Sequence, residues 1–294
     1  MTTPRLSQAR SRGFSLVELM ISVAIGMIIT AVVAQTYLGT KRTFRAQDNA
    51  SRLQENSRYA LHLLEREGKM TGFPGVGQES MVNLFSLPVN TYVLQGQNDV
   101  AVGAPSTLTS DTISITYFGS GPLGAADGSS VNCIGQPVDI VTQTTDTFYV
   151  APDPAYRDGN GNAVSALWCA TTNSGTVVVT RMPLVHGVDT MQILYGEDTD
   201  ADRIVNRYVA ANTVGLVWDN VVAVRISLLM EGPDTNVASN TSERNDAYRV
   251  ANQYYHFTQG YSDFVTDPGA VTVAPNDRKT RALYHATIGV RNRI

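Results

Sequence analysis

The chain has 294 residues, 43% hydrophobic and only 16% charged, with a formal net charge of −4. That length is ample for a sizeable buried core, and the low charge fraction fits an exported or surface protein better than a cytosolic enzyme. The mild acidity gives no electrostatic support for a nucleic-acid partner.

Residues 1–13 carry Arg5, Arg10 and Arg12 and no acid. Phe14 opens the apolar run FSLVELMISVAIGMIITAVVA, whose only charge is Glu18. At about 1.5 Å per residue this run covers roughly 30 Å, the thickness of a bilayer's hydrocarbon core. Arginines ahead of a membrane span predict a cytoplasmic N-terminus and an exported remainder. An ordinary secretory leader fits poorly, because the apolar run is long and no small-x-small cleavage site closes it. A plain signal anchor does not explain a carboxylate in the fifth position of the run. Charge in lipid is costly and marks a functional candidate.

Residues 41–67 continue without Pro or Gly. Phe44, Leu53, Ala60, Leu63 and Leu64 form an apolar stripe at helical spacing. Phe14 to Glu67 would span roughly 80 Å as one helix. Gly68, Gly72, Pro74, Gly75 and Gly77 are expected to end it, and Gly26 and Gly39 to allow bending. The expected divisions are a leader (1–13), the membrane half of the helix (14–38), its amphipathic half (39–68) and a β-rich head (69–294). From about residue 80, β-prone runs alternate with turns. Strands are expected at 112–118, 147–150, 176–180, 191–195, 221–229 and 283–290. Gly119–Pro122, Gly159–Asn162 and Asp234–Asn236 carry loop chemistry. No internal repeat is evident. The expected fold is α+β: one long N-terminal helix on a predominantly antiparallel β-sheet head.

Arg12-Gly13-Phe14-Ser15-Leu16-Val17-Glu18-Leu19 resembles the processing motif of type IV prepilins and pseudopilins. The resemblance implies that prepilin peptidase cuts between Gly13 and Phe14 and that the new N-terminal Phe14 is N-methylated. It further implies that Glu18 pairs with the free amino group of Phe14, in its own or a neighbouring subunit, and so sets the register of assembly. A first-turn acid is also favoured by the helix dipole alone, so a simple headgroup-level charge is the plain alternative. Segments 52–60 and 188–196, the acids Asp198, Asp200 and Asp202, and the ending 287–292 are similar to the PilW-type minor pilins. That similarity implies a structural subunit that helps prime a type IV pilus, with the pilus tip as its expected place. Its implied partners are other minor pilins and the major pilin. It would wait in the inner membrane with a periplasmic head before entering the surface pilus. A minor pseudopilin of a type II secretion system shares the leader, Phe14 and Glu18, and a tip adhesin is a further alternative.

With the head in an oxidising compartment, Cys133 and Cys169 are expected to pair, stabilising it by roughly 3–4 kcal/mol in the chain-entropy model. Two buried free thiols are the alternative. Asp198, Asp200 and Asp202 alternate, with Asn206 nearby. They could converge on calcium, but the EF-hand pattern fails at Arg203 and Val209. A solvated acidic turn is the preferred reading, and a non-EF calcium site the alternative. No other cofactor and no small-molecule substrate is expected. His62, His186, His256 and His285 show no metal spacing, and no hydrolase or phosphate-loop motif is present, so no enzyme is predicted. Tyr156, Tyr254, Tyr255 and Tyr261 are aromatics that could serve an adhesin or ordinary packing equally.

Overall fold

The computed structural model describes residues 15–75, 93–104, 106, 108–121, 125–159, 161–173, 178–232, 249–250, 253–255, 270–272 and 281–290. Gly13, Phe14, residues 234–236, His256, Tyr261 and Asn292 lie outside these, as do the side chains of Tyr254 and Tyr255. Two compact units are present, residues 1–47 and 48–294.

One helix, α1, runs Leu16–Met70. It passes uninterrupted through Gly26 and Gly39, so neither breaks it. Within the second unit α1 buries Asn49, Leu53, Ser57, Ala60, Leu63, Leu64, Glu67 and Gly68. The spacing is three or four residues, one face of a helix. Phe44, counted on the apolar stripe by spacing, is exposed. His62 is exposed on the opposite face. The sequence places the helix end at Gly68, yet Gly68 lies inside α1. Its missing side chain is needed there: a Cβ would sit 2.9 Å from Ile288 Cγ2. The turn that follows uses Gly72 at φ 66°, a left-handed conformation glycine adopts without strain.

The head holds two main antiparallel sheets. The first is a meander of β1 (Leu94–Ala101), β2 (Thr109–Tyr117), β3 (Thr144–Arg157), β4 (Ala163–Asn173) and β5 (Val179–His186), paired in that order. The second contains β6 (Val188–Glu197), β7 (Arg207–Val209), β8 (Val221–Glu231) and β12 (Arg281–Gly289), in spatial order β12-β8-β6-β7. Three short strands, β9 (Arg249–Val250), β10 (Gln253–Tyr255) and β11 (Ala270–Thr272), form a small third sheet.

The alternation expected of half-buried strands is visible in β3, where buried Thr144, Asp146, Phe148 and Val150 alternate with part-exposed residues. Ile113, Ile115, Tyr117, Phe148 and Leu167 of the first sheet join Met191, Ile193, Tyr195, Val224, Ile226 and Leu228 of the second in one core with Leu53, Ala60 and Leu64 of α1. Polar side chains tie the sheets together where β6 would otherwise present an unpaired edge. Met191 N–H donates to Ser110 Oγ (2.9 Å) and Ile193 N–H to Asp111 Oδ2 (2.7 Å). Thr190 Oγ1 donates to the Thr109 carbonyl. Each contact satisfies a backbone group that burial would leave unpaired. Arg281 of β12 closes the far side of the second sheet on Asp189 and Glu231, all three buried.

Candidate functional site

Ser15, the first described residue, accepts the Leu19 N–H on its carbonyl at 3.1 Å. Every residue from 15 to 48 is exposed. Mean hydropathy reaches 2.5 over an 18-residue window of α1, none of it buried. A water-soluble helix would cover such a face against a core, so this segment is built for a non-aqueous surrounding. Its polar groups are handled accordingly. Ser22, Thr30 and Thr36 donate to the carbonyls of Glu18, Gly26 and Val32, each four residues back, at 2.7–2.9 Å. Thr40 and Thr43 repeat the pattern on Thr36 and Gly39. Hydroxyls closed onto their own helix need nothing from lipid. Glu18, in the first turn, is the one acidic or basic side chain between Phe14 and Lys41. Its expected partner at Phe14, and the Gly13–Phe14 bond, fall outside the described residues.

In the head, Cys133 and Cys169 are joined by a disulfide across a sequence separation of 36, with Cα atoms 6.4 Å apart. The bond ties the segment between β2 and β3 to β4. Beside it lies Asp146, fully buried. Asp146 Oδ2 accepts from the Cys133 N–H at 2.8 Å and from the Tyr117 hydroxyl at 2.7 Å. Burial pushes the Asp146 carboxyl above the usual range, and hydrogen bonds from Thr171, Tyr117 and Cys133 oppose that shift. Glu67, buried on the last turns of α1, is raised by burial too, and the adjacent Arg66 partly offsets it.

The acidic segment joins β6 to β7. Its base is fixed by Glu197, 1% exposed, which pairs with Arg207 at 2.7 Å and accepts the Val217 N–H. Asp198 is buried, while Asp200 and Asp202 are exposed, and one carboxylate oxygen from each lies within 4.8 Å of the others. Asp198 also shapes the turn: its Oδ1 accepts the Ala201 N–H and its Oδ2 the Arg203 N–H, at 2.7 and 2.9 Å. Ala201 and Arg203 stand at φ 66° and 68°. Asn206 points its Oδ1 at Thr199, accepting both the N–H and the hydroxyl. The three carboxylates therefore lie near one another, and Asn206 is committed to closing the turn.

Asp111 and Asp146 were not singled out by sequence reasoning. Both occupy the inward phase of their strands, Asp111 with Ile113 and Ile115, Asp146 with Phe148 and Val150. An acid in the apolar phase of a strand is the signal that marks them. His186 meets Asp153 at 2.8 Å and stacks on Tyr156, while His285 is exposed on β12.

Residues 8–34 match the prokaryotic N-terminal methylation motif, and residues 147–292 match the family Type IV Pilus-assembly protein W. Curated proteins give no match. Four chains of solved structure match. One is a type IV-like pilin from Thermus thermophilus, 14% identical, covering 83% of this chain and 95% of that one with a TM-score of 0.41. The methylation motif takes in the exposed N-terminal part of α1 as far as residue 34 and the residues just ahead of it, and the family match runs from within β3 to just past β12. With the methylation motif at one end and the family match over the other half, the chain is type IV pilin-like and similar to the PilW-type minor pilins.

Proposed function

We propose that this pilin is held in the inner membrane by the first half of α1, N-terminus in the cytoplasm and head in the periplasm. Prepilin peptidase cuts between Gly13 and Phe14, and Phe14 is N-methylated. The subunit then enters a type IV pilus alongside other minor pilins and the major pilin, helps to prime assembly, and takes a place at the tip. Its role is structural rather than catalytic.

The observation that carries this reading is the exposed apolar stretch of α1 with Glu18 as its lone charge. A carboxylate there needs a cationic partner once water is gone. The free amino group of a processed Phe14 supplies one, and its position fixes how far each subunit advances along its neighbour. Deletion in the native host tests the assembly role, with surface pili counted by electron microscopy. We expect few or no pili, restored by the wild-type gene and not by Glu18→Ala. Normal piliation in the deletion strain would remove the assembly role. Intact-mass measurement tests processing separately: the mature chain should begin at Phe14 and carry one extra methyl group.

A second reading concerns the acidic loop. Calcium–oxygen distances of about 2.3–2.6 Å allow ligand oxygens to stand at most roughly 4.6–5.2 Å apart, a limit that Asp198, Asp200 and Asp202 meet. Calcium held there would tie the turn after β6. Calorimetry with calcium chloride on the wild type and Asp200→Asn/Asp202→Asn decides it. Binding heat in the wild type alone supports the ion, and none in either leaves a solvated turn.

A further inference from the structure

The first sheet turns one face to the core and the other outward, and its register decides which outward side chains are neighbours. Gln95 on β1, Ser114 on β2 and Thr147 on β3 lie directly opposite one another, and Gln97 lies opposite Thr112. Tyr149 stands two residues beyond Thr147 and opposite Trp168 on β4. Directly opposed residues, and residues two apart, point to the same side of a sheet. These side chains are exposed or part-exposed, unlike Ile113, Ile115, Phe148 and Val150 between them.

Gln95, Gln97, Thr112, Ser114, Thr147 and Tyr149 line a cavity of about 450 Å³, within the range of small-ligand sites, roughly 300–1,000 Å³. Its wall along β1 follows a break in register between Gln97 and Val100. Asp99 makes that break at φ 55°. Its N–H donates to the buried Asp111 Oδ1 at 3.0 Å, and its Oδ1 accepts from the Thr109 hydroxyl at 3.1 Å. A non-glycine residue persists in this conformation only where its surroundings impose it, and bulges of this kind re-aim side chains beside binding sites.

The lining specifies a class of ligand. Two amides and three hydroxyls offer donors and acceptors, and none of them ionises. The Ser114–Thr147 hydrogen bond, 2.8 Å, uses one donor and leaves the other hydroxyl's proton and spare lone pairs. An ionic ligand would find no counter-charge among these six residues, and an alkyl chain would strand their polar groups. Tyr149 supplies a flat ring, backed by Trp168 at 6.5 Å and 19°. The Trp168 indole is fixed by donating to the Ala151 carbonyl at 3.0 Å, so the platform is set before a ligand arrives. Dense neutral hydrogen bonding next to an aromatic face matches a molecule with many hydroxyls and a C–H face.

We propose that the trough on the outer face of β1–β3 binds a neutral saccharide of one or two rings. A ring stacks on Tyr149, and its hydroxyls exchange hydrogen bonds with Gln95, Gln97, Thr112 and Thr147. The site needs only the folded head and is independent of any priming role.

The test uses the full chain in a polyoxyethylene detergent, which carries no sugar headgroup. Saturation-transfer NMR and calorimetry are run with glucose, galactose, mannose, N-acetylglucosamine, maltose and cellobiose, and with glucuronate as the anionic control. At least one neutral sugar should bind with Kd of about 1 mM or tighter, and glucuronate at least ten-fold more weakly. Tyr149→Ala should weaken binding ten-fold or more, and Gln97→Ala several-fold with an unchanged melting temperature. Saturable binding absent for all six neutral sugars at about 10 mM overturns the proposal. Equal affinity in wild type and Gln97→Ala, together with a folded Tyr149→Ala that still binds, overturns it as well.

Discussion

Replacing both Cys133 and Cys169 by Ala removes a crosslink whose effect can be worked out from the structure. The chain-entropy relation for a sequence separation of 36 gives about 13 cal/mol/K, or roughly 4 kcal/mol at 25 °C. A second effect adds to it. The Cys133 N–H is one of the donors that Asp146, fully buried, relies on. Once the segment between β2 and β3 is untied from β4, that donor is free to withdraw, and an under-satisfied buried carboxyl costs about 1–3 kcal/mol. Against a typical total of about 5–15 kcal/mol, the loss is large. Urea unfolding of the full chain in detergent reads it. Both tryptophans, Trp168 and Trp218, lie in the head, and Trp168 is the neighbour of Cys169. The variant's midpoint should fall by the equivalent of about 4 kcal/mol or more, and its urea dependence should steepen as the unfolded chain expands. Wild type treated with reductant should move the same way. A midpoint within about 1 kcal/mol of the oxidised wild type would refute the reasoning, since it would mean that neither loop closure nor the Asp146 contact stabilises the head.

Gly96→Ala places a Cβ 1.9 Å from Tyr195 Oη and 2.7 Å from its Cζ, overpacking that should cost about 1–3 kcal/mol. Tyr195→Phe should recover part of it, and strictly additive thermal melts for the pair would contradict that contact. Arg281→Met removes the guanidinium that buried Asp189 and Glu231 share and should cost about 3–5 kcal/mol in urea unfolding. Burial raises the Asp111 carboxyl from 3.8 to about 6. A raised acid favours the fold below its unfolded pKa and loses that contribution as pH rises through the folded one, so this group's stabilisation fades between about pH 4 and 6. Asp111→Asn offers one acceptor where the carboxylate offers two, so the readout is the slope of melting temperature against pH. It should fall less steeply across this window in the variant, and parallel slopes would argue against the assignment.

The anchor was legible because lipid imposes a demand that sequence displays directly: a long apolar run, with any charge inside it conspicuous. Strands β2, β6 and β8 were legible for a similar reason, their β-branched and apolar residues announcing a pleated, half-buried surface. Strand β4 escaped notice because its centre, Ser165-Ala-Leu-Trp-Cys-Ala170, is poor in β-branched residues and is held by partners on both sides. Gly68 misled as a helix stop because the deciding fact is Ile288, 220 positions away in the chain and pressed against it. The acids Asp198, Asp200 and Asp202 are close in sequence and were found. Tyr149, Ser114 and Gln95 were not, since only the register of three strands makes them neighbours.

The polar groups of α1 divide in a way that bears on extraction from the membrane. The hydroxyls of Ser22, Thr30 and Thr36 are satisfied by the helix itself, so they ask nothing of lipid and nothing of a filament. Exchanging one apolar surrounding for another leaves these bonds intact and costs little. Glu18 alone has a need that changes with its neighbours, because an ion in a dry setting is stable only beside an opposite charge. On the proposed pairing, a subunit sliding along others meets a nearly featureless apolar surface with a single preferred stopping point, where Glu18 meets an amino terminus. Glu18→Gln should separate charge from hydrogen bonding at that point: it keeps an acceptor and the length of the side chain but loses the ion pair. The reasoning expects the purified Glu18→Gln protein to fold and to enter membranes normally while failing to restore pili. Full piliation with Glu18→Gln would show that a hydrogen bond suffices and that charge does not set the register.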